Sequence, residues 1–289
     1  MVRPLKLAIP NKGRLADDAA SLLKRAGLRL TGSSYRRLQA WALGRRVQVL
    51  YLRAADIPGF VADGTVDCGI TGLDVVRENG EPLTERLDLA FGGCRLVVAV
   101  PESSRYQQAA DLPDGARVAT SFPRLTKEHF SGLGVDVEVV DVSGACEVAP
   151  ALGVADAIVD LSSSGSTLLM NHLREAGDVL RSTCHLVHRP DVDPDVSDEL
   201  DRLVFALESV VAAHGQRYLM ADIPRAALDE VRGFLPGIAG PTVVDVAGNP
   251  DLVAIQVVVA EDDIFDAVHR LRELGGRGII VVPIDRMVA

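Results

Sequence analysis

The sequence predicts an α/β protein of two layered units followed by a small sheet-and-helix unit. Three observations predict it. Short apolar runs alternate with amphipathic helical patterns as far as His188, the rhythm of largely parallel sheets covered by helices. From Gln216 the rhythm changes to strand, helix, strand, strand, helix, strand. The length of 289 residues suits two or three domains and buries roughly three quarters of the unfolded surface, so core formation is not limiting.

In chain order, Leu5–Pro10, Val47–Leu52, Cys68–Gly72 and Arg95–Val100 read as the strands of the first unit. Between the first two, Leu15, Ala19, Leu22, Leu23 and Ala26 recur near a 3.6-residue period, and Gly27 stops the helix. A polar stretch after Val100 marks the crossing into a second unit. There Arg117–Thr120, Val137–Val142 and Ala155–Leu161 read as strands, and Leu125–Gly134, Cys146–Gly153 and Ser166–Gly177 as helices. Asp178–Pro190 reads as extended chain returning to the first unit, and a long amphipathic helix follows the Pro/Asp-rich break at Pro190–Pro194. The remaining order, β-α-β-β-α-β, is that of a ferredoxin-like split unit. The predicted domains are 1–99 with 184–212, 100–183, and 213–289.

Charge narrows the function. Lys and Arg total 30 against 40 Asp and Glu, a formal net charge of −10. That excludes a generic binder of nucleic acid or anionic membrane, which needs a basic face. It leaves room for a phosphorylated small molecule, which a few local cations can hold. Mean hydropathy is +0.19, yet no apolar stretch approaches the roughly 18 residues of a membrane span. Lys6, Pro10, Asn11 and Lys12 interrupt any secretory leader at the N-terminus. Cys68, Cys94, Cys146 and Cys184 form no CxxC pair, so reduced, buried thiols in a cytoplasmic protein are expected.

The densest chemistry lies from Asp156 to Leu168. An apolar strand ends in Asp160, a Ser/Gly loop follows, and a helix begins. Successive N–H groups in such a loop form an anion-sized nest, and Gly165 permits a positive φ. Ser163, Ser164, Ser166 and Thr167 add hydroxyls, which suits a phosphate monoester; Asp160 suits ribose hydroxyls or a metal. An ordinary capped strand-to-helix turn fits the same pattern. Glu147, shortly before this strand, is within reach of the same ligand.

A second cluster follows the first strand: Lys12, Gly13 and Arg14 place two cations on a turn, at the sheet edge where open α/β proteins bind ligands. Arg53, after the second strand, and Gly72, after the third, fall at the same kind of position. Arg95 faces either an anion or water. His185 and His188 lie three apart on a strand and therefore on opposite faces, so they form no metal pair. Glu261–Asp263 opens a helix as dipole-matched surface charge.

Residues from Glu147 to Leu168 fit a long signature at every position: Glu147, Gly153, Ala155, Ile158, Asp160, Leu161, Ser164, Gly165, Thr167 and Leu168. With the blocks Pro10–Leu15, Asp56–Pro58, Gly69–Gly72, Phe91–Leu96, Ala119–Pro123, Leu235–Gly237, Pro241–Thr242 and the closing Val281–Met287, the chain resembles the long-form ATP phosphoribosyltransferases, the family of the first step of histidine biosynthesis. The resemblance implies two lobes like those of periplasmic binding proteins around one site, and a C-terminal regulatory domain. It implies that ATP and 5-phosphoribosyl 1-pyrophosphate condense to N1-(5-phosphoribosyl)-ATP and pyrophosphate. Glu147, Asp156, Asp160 and Ser163–Thr167 would then bind the phosphoribosyl group, and Lys12, Arg14, Arg53 and Gly72 the ATP, with Asp160, Lys12 and Arg14 catalytic. Asp222, Thr242 and Gly278 would bind the inhibitor L-histidine. Magnesium would arrive on substrate phosphates rather than in a protein cage. The family also implies a cytoplasmic homo-oligomer, dimer or hexamer. One departure stands out: His172 replaces a frequent Gly. A non-catalytic two-lobed sensor remains the reading from another class.

Overall fold

The computed structural model describes residues 3–31, 38–163 and 165–288. The residues up to Lys24 and Leu28–Val204 form one compact unit, and Arg25–Gly27 with everything from Phe205 onward form a second.

The first unit contains two sheets. Its chain begins with β1 (Leu5–Pro10), α1 (Ala16–Arg25), β2 (Gln39–Ala42), β3 (Val47–Leu52), α2 (Ile57–Ala62), β4 (Cys68–Gly72), α3 (Leu73–Asn79) and β5 (Thr84–Asp88). It continues with β6 (Cys94–Pro101), β7 (Ala116–Thr120), α4 (Pro123–Leu133), β8 (Val137–Asp141), β9 (Ala157–Ser162), α5 (Ser166–Met170), β10 (Leu173–Ser182) and β11 (Cys184–His188). The first sheet has the order β2-β3-β1-β4-β11-β5, the second β10-β6-β9-β7-β8. The chain crosses between them after β5 and again at Thr183. The two crossings run side by side: the Cys184 N–H donates to Phe91 at 2.9 Å, and the Leu89 N–H to Cys184 at 2.9 Å.

Central strands are apolar on both faces because each sheet is covered on both. Leu5, Leu7, Ala8 and Ile9 of β1 and Leu96 to Val100 of β6 are fully buried. In α1 the buried residues are Ala19, Leu22 and Leu23, one helical face. Parallel pairing of β1 with both β3 and β4 brings their carboxyl ends to one edge. There the Asn11 N–H donates to Leu52 at 2.7 Å.

Two predicted helices are corrected. Ser166–Gly177 is helical only to Met170; Leu173–Ser182 is β10, paired antiparallel with β6. His172 adopts φ 55, a left-handed conformation that ends the helix and that a Gly would adopt without strain. Two register shifts in β10 break its two-residue alternation, so its sequence mimics helical spacing. Within Cys146–Gly153 only a single 3₁₀ turn, Cys146–Val148, forms, after a left-handed Ala145. Four elements escaped the sequence reading. β2 is only four residues long, β5 is a charged edge strand, and α2 and α3 are single short helices.

Helix α6 (Pro194–Ala212) leads to β12 (Gln216–Pro224), α7 (Leu228–Phe234), β13 (Thr242–Asp245), β14 (Leu252–Ala260), α8 (Ile264–Glu273) and β15 (Arg277–Pro283). These four strands form an antiparallel sheet in the order β13-β14-β12-β15, the ferredoxin-like arrangement. Leu219, Ala221, Ile223, Val253, Ile255 and Val257 pack with Val231 and Leu271 of the two helices on one face. Alternate residues, including Tyr218, Met220, Asp222 and Gln256, fall on the other face. Among the described residues, no helix is long and apolar enough to cross a membrane.

Candidate active site

The edge formed by β1, β3 and β4 carries Lys12, Arg53 and Gly72 at three adjacent strand ends, with Lys12 and Arg53 exposed. Arg14 is tied to the interlobe crossing. Its guanidinium donates to the Gly92 carbonyl, lies 3.0 Å from Cys94 Sγ and 3.9 Å from the Asp74 carboxylate, and stays 38% exposed. Asp74 is 2% exposed. Its carboxylate accepts the Ser182 hydroxyl at 2.6 Å, and its own N–H donates to Ser182 Oγ at 3.0 Å. Thus α3 of the first sheet is bonded to β10 of the second. A Cβ on Gly72 would come within 2.2 Å of Asp74 Oδ1, so this glycine makes room for a buried carboxylate. Asp74 and Ser182 gave no motif signal, because 108 residues separate them.

The second edge is built on β9. Asp160 is half-buried and accepts the Leu161 N–H at 2.7 Å. Burial pushes its carboxyl above the ordinary carboxylate range; the Leu161 bond opposes this, and nearby Glu147 reinforces it. Glu147 sits in the 3₁₀ turn whose Cys146 thiol is pushed up to about 11, chiefly by burial and then by Asp160. Glu147 is thus near enough to Asp160 for its charge to act on it. After β9, Ser163 is exposed, and Gly165 takes φ 75, the left-handed conformation anticipated for it. Ser166 and Thr167 open α5 on its exposed side. Ser164 lies outside the described residues.

Asp156 does not join this group. It precedes β9, accepts the Arg117 N–H at 2.9 Å, and has the Arg117 guanidinium at 3.7 Å. Four residues of strand, about 13 Å, separate it from Asp160. These contacts tie the chain before β9 to β7. Arg95, left open between anion and water, faces acids: it forms ion pairs with Glu175 at 2.8 Å and Asp178 at 2.7 Å. Glu175 was hidden by the mistaken helix.

In the C-terminal sheet, Asp222 of β12 pairs with Arg277, and the adjacent Gly278 has φ 56. A Cβ there would lie 3.7 Å from Asp222 Oδ2, so Asp222 and Gly278 are neighbours. Thr242, on β13, pairs with Gln256 of β14 and so lies two strands, about 10 Å, from β12 across the same open face. All four cysteines are free and buried. Among the described residues, no group of three or more His, Cys, Asp or Glu is placed to hold a metal ion.

Two α/β lobes joined by two crossings, with cations at one strand-end edge and a Ser/Gly loop after the half-buried Asp160 at the other, define a two-lobed binding core carrying a ferredoxin-like domain. The comparisons with known proteins place it further. A family model described as ATP phosphoribosyltransferase matches residues 53–209, and one described as the HisG C-terminal domain matches residues 213–286. An ATP phosphoribosyltransferase of Gemmatimonas aurantiaca is 50% identical over 98% of this chain and 99% of its own. One from Methanococcoides burtonii is 45% identical with the same coverage. Among solved structures, the ATP phosphoribosyl transferase (HisG:HisZ) complex of Thermotoga maritima aligns with a TM-score of 0.62 and 28% identity, covering 72% of this chain and 97% of that one. The chain belongs to the ATP phosphoribosyltransferase family, pentosyltransferases of histidine biosynthesis, and its C-terminal domain fits the long form.

Proposed function

We propose that this chain condenses ATP with 5-phosphoribosyl 1-pyrophosphate, giving N1-(5-phosphoribosyl)-ATP and pyrophosphate. The observation that carries the reading is the half-buried Asp160 near the carboxyl end of β9, followed by the left-handed Gly165 that opens α5. In this reading the loop 163–167 holds the 5-phosphate and Asp160 accepts hydrogen bonds from the ribose hydroxyls. Displacement at the anomeric carbon passes through an oxocarbenium-like state, and an ionised Asp160 beside the ring favours that positive charge. Adenine N1 attacks with its own lone pair and pyrophosphate is a good leaving group, so positioning supplies most of the catalysis. Lys12 and Arg53 serve the phosphates of ATP or the departing pyrophosphate; Arg14 contributes from the crossing. Magnesium, when bound, would supply positive charge on the pyrophosphate while held mainly by the substrate phosphates rather than by a cage of side chains.

The C-terminal domain, 213–289 in this reading, binds L-histidine through Asp222 and Gly278, with Thr242 contributing from across the face. Residues 1–99 with 184–212 form the ATP lobe and 100–183 the phosphoribosyl lobe of a cytoplasmic homo-oligomer, dimer or hexamer.

The test is pyrophosphate release with magnesium and a coupled pyrophosphatase, with and without L-histidine. Release should require both substrates and fall with histidine; Asp222→Ala should keep turnover and lose the inhibition. No release from folded protein that still binds ribose 5-phosphate would favour a sensor.

A further inference from the structure

The sequence carries no charged side chain from Leu161 to Leu168. A phosphate dianion held there would face Asp160 and Glu147 with nothing from the loop itself to balance it. The cation that the fold brings to this place is Arg95. In the β6–β9 ladder Arg95 is opposite Ser162, and Val97 is opposite Asp160. Side chains alternate along a strand, so Arg95 and Asp160 are diagonal neighbours on one sheet face. Helix α5 packs on that same face through Leu168, against Val97 and Ile158.

Arg95 is held directly beside the loop. Its guanidinium makes two bonds of 2.8 Å to the Glu175 carboxylate. Glu175 Oε1 in turn accepts the Ser162 hydroxyl at 3.2 Å and lies 3.8 Å from where a Cβ of Gly165 would stand. The side chain is still 33% exposed, so a ligand in the loop can reach it. Its present partners do not depend on it alone. Asp178 has a second cation, Arg181, at 3.6 Å, and Glu175 keeps the Ser162 hydroxyl.

We propose that Arg95 is a substrate-binding residue that exchanges its carboxylate partners for the 5-phosphate of the phosphoribosyl substrate. The proposal rests on the reading of loop 163–167 as the phosphate site. A planar guanidinium bonds phosphate through two parallel N–H groups as readily as it bonds carboxylate, so Glu175 holds the fork in the orientation that the phosphate then takes over.

The experiment measures KM for each substrate, and the affinity for ribose 5-phosphate by calorimetry, in the full chain and four variants. Arg95→Ala should raise KM for 5-phosphoribosyl 1-pyrophosphate and the ribose 5-phosphate Kd at least tenfold, leaving KM for ATP within twofold. Arg95→Lys should lie between, and carries the test if the alanine variant fails to fold. Glu175→Gln keeps an acceptor for Ser162 and removes one of the two carboxylates on the guanidinium, leaving Asp178, so it should leave both constants unchanged or lower them. The double variant Arg95→Ala/Glu175→Gln should stay as weak as Arg95→Ala. Recovery of affinity in the double variant would mean that Arg95 only neutralises Glu175, and would overturn the proposal. So would an Arg95→Ala affinity within twofold of the native chain, or an equal loss in Arg95→Ala and Glu175→Gln. If the native chain binds ribose 5-phosphate but releases no pyrophosphate, the reaction assignment falls while the Arg95 contact is still decided by the binding series.

Discussion

The two edges assigned to ligands in the proposed reading lie at the carboxyl ends of parallel strands and hold charge in different ways. At the β1/β3/β4 edge, Lys12 and Arg53 are exposed, and Arg14 is drawn back onto the crossing by Gly92, Cys94 and Asp74. At the β9 edge the exposed loop groups are neutral donors, with the acid Asp160 beneath them, Glu147 near it, and Arg95 beside them bound to Glu175. The difference divides the labour of a group transfer. The cationic edge suits the polyphosphates, where negative charge is present or builds up on the leaving group. The acidic edge suits the sugar, where positive charge develops.

The largest expected effect tests the acidic edge. Asp160→Asn keeps the size and loses the charge, and should lower kcat by about 100- to 1000-fold, on the scale of losing one preorganised electrostatic contact in the transition state. A drop of less than tenfold in steady-state rate would break the division. Next, Lys12→Ala should raise KM for ATP by about tenfold or more, the worth of a charge-assisted bond, with ribose 5-phosphate affinity unchanged. A matching loss of ribose 5-phosphate binding would show that the two edges are not separate.

A control lies at the far end of the first sheet. Arg3 bonds the buried Asp67 through two nitrogens at 2.8 and 2.7 Å and reaches Asp193 at 2.8 Å. Arg3→Ala leaves Asp67 without its cation and should cost about 2 kcal/mol in denaturant unfolding, discounted because Arg3 is partly exposed. Both KM values should hold. Asp193 is held below its ordinary range by the Asp195 N–H and then by Arg3. A depressed carboxyl contributes stability above its unfolded value and loses it as pH falls through the folded value, so the variant should be less sensitive to acid than the native chain.

The smallest effect is a pH shift. The raised Asp160 must ionise to act, so the acid limb of kcat/KM should sit above the ordinary carboxylate range. The same raised value means that Asp160 favours folding below its unfolded value and loses that contribution as pH rises through its folded value. Glu147→Gln removes the repulsion and should move the limb to lower pH, by less than burial sets. An unmoved limb would assign it to another group.

How much of this was legible follows from range. The buried strands β1, β3, β6 and β9 announce themselves as apolar runs, and the β-α-β-β-α-β rhythm fixes the C-terminal fold. Gly165 could be read because a strand-to-helix loop needs one residue of positive φ. What stayed hidden depends on distant pairing. Asp74 meets Ser182, and Arg95 meets Glu175 across 80 residues. The bulged β10 hid Glu175 by imitating a helix. Asp156 stands apart from Asp160 for a simpler reason: it precedes β9, whose extended rise puts about 13 Å between them.

The division between the edges is tested most directly by calorimetric titration of ribose 5-phosphate, which carries the sugar and phosphate without the pyrophosphate or the adenine. The comparison is the native chain, Gly165→Val and Lys12→Ala. A β-branched residue cannot easily adopt φ 75, so Gly165→Val should abolish binding, while Lys12→Ala should bind as the native chain does. Binding that survives in Gly165→Val, or is lost in Lys12→Ala, would contradict the assignment of the phosphoribosyl group to the β9 loop.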